Sequence, residues 1–133
     1  MIYALDSNII SYILKGNKNV KENFTNAINN NNFFSIPPLV YYEVKRWLTL
    51  RNANVQLKEF TKLYQDSVKS EMNLKIWEKA IELYVNLRLK GSLTGDSDIF
   101  IAAFCIVNDY VLVTNNTKHF EIVKGLKTKN WKD

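Results

Sequence analysis

Apolar positions along this chain recur at two different spacings, and the alternation between them predicts its elements. Residues 2–6, IYALD, have the β-branched and aromatic content of a short buried strand. A helix is expected over about 8–15, with Ser7 or Asn8 as its cap and Gly16 as its stop. A weaker helix over 20–29 leads into the polar stretch Asn29 to Asn32, and Phe33-Phe34-Ser35-Ile36 forms a second strand. Pro37 and Pro38 suit a first helical turn. That helix is expected to reach about Ala53, with Leu39, Val40, Val44, Trp47 and Leu48 on one face. Another, over about 54–66, carries Leu57, Phe60, Leu63 and Tyr64, and Val68-Lys69 reads as a very short third strand. The clearest helix spans 73–90, with Ile76, Trp77, Ala80, Ile81, Tyr84 and Leu87 at helical spacing and Gly91 as its stop. Residues 97–108 are apolar almost all round, the mark of a buried helix. YVLVT at 110–114 is a strand, and Leu126 to Thr128 a last one.

Strands alternating with helices predict an α/β fold with a mainly parallel sheet. A chain of 133 residues fits a single domain, 1–133, with a real core. No apolar run approaches the roughly 20 residues that span a bilayer, so no membrane partner is expected. The N-terminus lacks a signal-peptide pattern, its apolar stretch being broken by Asp6. Cys105, the one cysteine, lies within IAAFCIV and reads as a small buried hydrophobe in a reducing compartment, which makes the cytoplasm the expected location. A net charge of +5 is compatible with a polyanionic partner. Its lysines and arginines are scattered over helix faces and gather only in the tail KGLKTKNWK, so charge alone decides little.

Most of the 13 acidic residues lie on polar helix faces, and three do not. Asp6 ends the first strand. Glu43 shares the inward stripe of Leu39, Val40, Val44 and Trp47. Asp98 heads the apolar helix, with Ile101 and Ala102 one turn on. Each has a bland reading, as an Asx-type cap, an edge residue or a partner of a helix dipole. Parallel sheets bind ligands beyond the carboxyl ends of their strands, however, and all three acids are expected to meet there, with Asp96 a further candidate. Carboxylates at ~5 Å repel by about 3 kcal/mol per pair at an effective dielectric near 20. One must be protonated, or cations must pair with them, or a metal must bind. No lysine or arginine lies within these motifs, so a hard cation such as Mg²⁺ or Mn²⁺ is the simplest resolution. One cysteine and one histidine cannot make a zinc site, and His119 reads as a surface residue. Carboxylate-held Mg²⁺ suits phosphoryl chemistry, and a basic domain with an acidic cleft is what a nuclease needs.

Taken together, LDSNIISYIL, IPPLVYYEV, GDSDIFIAAF, YVLVTNNTKHF and KGLKTKNW resemble the PIN domain, and more narrowly the VapC-type toxins of type II toxin–antitoxin systems. The resemblance covers nearly the whole chain in the family's order. It implies an α/β/α sandwich with a mainly parallel central sheet and Mg²⁺- or Mn²⁺-dependent endoribonuclease activity on structured RNA, transfer or ribosomal. Asp6, Glu43 and Asp98 match the family's first three acidic positions. Asp6 and Asp98 would contact the metal, and Glu43 would position water or a second ion. The fourth position falls on Asn116, an amide where the family often has Asp, and Thr114 would hydrogen-bond a site carboxylate. The resemblance further implies a cognate antitoxin that blocks the cleft, and a toxin homodimer.

Other classes compete. A haloacid-dehalogenase-type phosphotransferase needs a second Asp two residues after the first, where this chain has Asn8. A phospho-receiver domain wants a lysine at a late strand end, where this chain has Thr-Asn-Asn. A catalytically inactive PIN-like module that binds RNA or protein has the amide at Asn116 in its favour and three retained carboxylates against it.

Overall fold

The computed structural model describes residues 1–133. Its elements run β1 (Ile2–Leu5), α1 (Ser7–Leu14), α2 (Lys18–Asn29), β2 (Phe33–Ser35), α3 (Pro38–Leu50), α4 (Asn54–Gln65), α5 (Leu74–Leu89), α6 (Asp96–Asn108), β3 (Val111–Val113), α7 (Thr117–Phe120) and β4 (Thr128–Lys129). The four strands form one sheet in the order β2-β1-β3-β4, every neighbouring pair parallel. Successive residues of a strand face opposite sides of a sheet. Ala4 and Leu5 are both fully buried, as are Leu112 and Val113, so helices cover both faces and the α/β/α sandwich is present.

Most of the expected elements stand within a few residues of their places, and the differences have physical causes. Asp6, rather than Ser7 or Asn8, caps α1: its carboxylate accepts from the Ser7 backbone N–H, and the helix starts at Ser7. Its own backbone N–H still reaches Val113 O at 3.0 Å, so Asp6 is pinned to the sheet and to the helix at once. The third strand reduces to one bridge, Ser35 to Val68, and the last lies two residues beyond its expected start. On α5 the core receives Ile76, Ala80, Leu83 and Leu87, while Trp77, Ile81 and Tyr84 of the expected inward stripe are exposed. The four-residue α7 is too short to leave a periodic signal.

The strand order fixes where a site can form. From β1 the chain crosses to β2 on one side, whereas from β3 it leaves for β4 on the other. The crevice beyond the carboxyl ends of β1 and β3 is therefore the topological switch point, where parallel sheets bind ligands.

Candidate active site

Asp6 and Thr114 are the residues immediately after β1 and β3, and they meet at that switch point. The Thr114 hydroxyl donates to Asp6 Oδ2 at 2.8 Å, and the Ser7 N–H donates to Oδ1 at 2.8 Å. The expected Thr114–carboxylate bond is thus present. Glu43, in the second turn of α3, reaches the same place through two hydroxyls. Ser7 Oγ donates to its Oε1 at 3.0 Å and Ser97 Oγ to its Oε2 at 2.9 Å. Ser7 adjoins Asp6 and Ser97 adjoins Asp98, so Glu43 is bound to the chain neighbours of both other acids. Asp98 arrives on the first turn of α6, beside the Ser97 that reaches Glu43 and close enough for its charge to act on Asp6.

The structure therefore brings Asp6, Glu43 and Asp98 together. Asp96 is exposed and hydrogen-bonds none of them. Asn116 is exposed just before α7, its backbone N–H donating to Thr114 Oγ1 at 3.1 Å. His119, at the surface as expected, is nonetheless part of the site: its Nε2 lies 2.7 Å from Asp98 Oδ2. Sequence reasoning gave no role to Ser97 or to His119. Neither stands at a spacing that betrays a contact made across the fold.

Burial is the main cause that holds the Asp6 carboxyl above the usual carboxylate range. The Thr114 and Ser7 donors pull it down, and the charges of Asp98 and Glu43 push it further up. No lysine or arginine offsets this. The ion pairs of the chain are Lys79–Glu82, Lys127–Asp109 and His119–Asp98. No three of the His, Cys, Asp and Glu side chains stand close enough to enclose an ion by themselves. A cation here would take one or two carboxylates and complete its shell with waters, the usual mode of Mg²⁺ or Mn²⁺ and not that of a closed zinc cage. The donor set, oxygen on every acid and excess negative charge around a buried carboxylate, fits a hard divalent cation.

Beside the acids a cleft of about 280 Å³ runs between α1 and α3, lined by Ser7, Asn8, Ser11, Leu14, Glu43, Val44 and Trp47. The Arg51 guanidinium stacks 4.0 Å from the ring centre of Trp47, one of these lining residues. The cleft is acidic at Glu43, polar along Ser7, Asn8 and Ser11, and apolar toward Leu14, Val44 and Trp47.

The PIN domain family profile matches residues 3–126. The chain belongs to the PIN-domain family. Among PIN relatives, ribonuclease VapC2 of Rickettsia felis is 27% identical over 132 residues, 98% of each chain. The solved VapBC2 of Rickettsia felis, bound to a DNA fragment from its promoter, superposes with a TM-score of 0.89 at 26% identity, covering 98% of this chain and 99% of that one. VapBC-1 from nontypeable Haemophilus influenzae shares the fold, with a TM-score of 0.87 at 23% identity over the full length of both chains. The PIN-like fold expected from the sequence is thereby established.

Proposed function

We propose that this PIN domain is an Mg²⁺- or Mn²⁺-dependent endoribonuclease and the toxin half of a type II toxin–antitoxin pair, acting on structured RNA such as transfer or ribosomal RNA in the cytoplasm. One observation carries the reading. Three carboxylates converge on the β1/β3 switch point with no lysine or arginine to neutralise them, and the buried one is held above its usual pKa range by burial and by the other two. Similarity to VapC ribonucleases and to VapBC complexes supports it.

In this reading Asp6 and Asp98 would hold the ion. When bound, the ion supplies an activated water and neutralises a non-bridging phosphate oxygen. Thr114 and the Ser7 N–H fix the direction of Asp6. Glu43, clamped by Ser7 and Ser97, presents a fixed negative charge that would orient a water at the site. Asn116, exposed and tied through its backbone to Thr114, would add an amide donor and acceptor. The cleft between α1 and α3 fits an antitoxin segment with a basic side chain at the acids and apolar ones toward Trp47. A second copy of the chain is the expected occupant of α5, where Trp77, Ile81, Tyr84 and Val85 are 43 to 58% exposed.

The test is cleavage of a folded RNA by the purified protein. Activity is expected with Mg²⁺ or Mn²⁺ and lost in excess chelator, and Asp98→Asn should lower the rate by about 10³-fold or more while leaving the circular dichroism unchanged. Equal cleavage by that variant, or full activity in chelator, would contradict the assignment. Retention of intact RNA under every metal condition would favour the inactive binding module.

A further inference from the structure

The three acids differ in how they are held, and the difference points to His119. Asp6 has a hydroxyl and a backbone donor, and Glu43 has two hydroxyls. Asp98 has neither. Its one hydrogen bond within the chain is to the His119 imidazole. Its side chain is 32% exposed, so without that bond it is free to sample rotamers whose loss on cation binding costs free energy.

His119 is itself well fixed. One segment, from Thr114 into α7, serves two of the acids. Thr114 holds Asp6, the Asn116 N–H donates to Thr114 Oγ1, and the His119 N–H donates to Asn116 O at 3.0 Å. Phe120, next in the chain, is buried, and the His119 ring meets it edge-on at 5.7 Å between centres. An ionised carboxylate only accepts, so an imidazole with its proton on Nε2 is the partner that donates in this contact. Oδ2 of Asp98 is then committed to His119, and Oδ1 makes no hydrogen bond in the chain.

We propose that His119 is a positioning residue that sets the Asp98 carboxylate with Oδ1 turned toward a divalent cation. The proposal rests on the metal-dependent reading above. Donors behind a ligating carboxylate commonly raise metal affinity by about 10- to 100-fold. A mere surface ion pair would change metal affinity little, since exposed pairs of this kind contribute little to anything.

Binding of Mn²⁺ to the metal-free full-length protein, followed by the electron paramagnetic resonance signal of free Mn²⁺, separates the two. His119→Ala should weaken Mn²⁺ binding by about 10-fold or more. His119→Gln, whose side-chain amide can donate to the same oxygen, should restore most of it. Asp98→Asn, the control for the reading itself, should remove binding. His119→Ala binding Mn²⁺ as tightly as wild type, or His119→Gln failing to restore affinity at unchanged thermal stability, would overturn the positioning role while leaving the metal site standing. Absence of Mn²⁺ binding by the wild-type protein would overturn both.

Discussion

At the scale of single residues, Asp6 is the costly one. It is 7% exposed and carries a carboxyl whose pKa is raised by burial first, then by Asp98 and Glu43. A carboxyl with a raised folded-state pKa binds protons more readily in the native chain than in the unfolded one. Stability must therefore fall as pH rises from the ordinary carboxylate range through the raised value, and stay reduced above it. In chelator, urea midpoints of wild type are expected to fall over that window, and those of Asp6→Asn to fall less. Adding Mg²⁺ should reverse the wild-type loss, because a ligand of the native state stabilises it by mass action. A wild-type midpoint that rises through the window would contradict the account. Asp6, Glu43 and Asp98 were legible in the sequence because each put a charge at an apolar position. Ser97 and His119 were not, because their partners lie 54 and 21 residues away and only the fold brings them together.

Elements are where periodicity succeeds and also where it misleads. The long helices and the β1 and β3 strands are marked by spacing, caps and stops such as Gly91, whose φ of 78° a side chain would strain. Helix α5 shows the limit. It is apolar along two adjacent stripes, one through Ile76, Ala80, Leu83 and Leu87, the other through Trp77, Ile81, Tyr84 and Val85. Spacing alone cannot say which one is buried, and the expected stripe mixed the two. We propose the outer stripe as the surface of a homodimer. Ile81→Glu, a change at a side chain 58% exposed, should leave the circular dichroism and thermal midpoint nearly unchanged. It should weaken self-association by about 2 kcal/mol, roughly 30-fold in dissociation constant, measured by sedimentation equilibrium. Unaltered association would place the second copy elsewhere.

For the whole molecule, the α/β class was readable from alternation, whereas the order β2-β1-β3-β4 was not, because nothing in a strand's own residues names its neighbours. That order is what makes the site. It sets β1 beside β3, puts the switch point between them, and turns the residues after each strand toward one another. The basic tail is likewise part of the fold rather than a free arm. Trp131 is buried, edge-on to Tyr3 at 5.3 Å, and its carbonyl accepts from Asn23. The charge of the tail thus sits on the rigid body that carries the acids, and Lys129 stands over the Tyr3 ring near the sheet edge. The claim beneath all of this is that Asp6 and Asp98 share one divalent cation. Crystals of the protein soaked in Mn²⁺, measured at a wavelength where manganese scatters anomalously, test it directly. The account requires a peak within ligand distance, about 2.0 to 2.3 Å, of a carboxylate oxygen from each of Asp6 and Asp98. An ordered Mn²⁺ bound elsewhere, with both carboxylates empty, would contradict it.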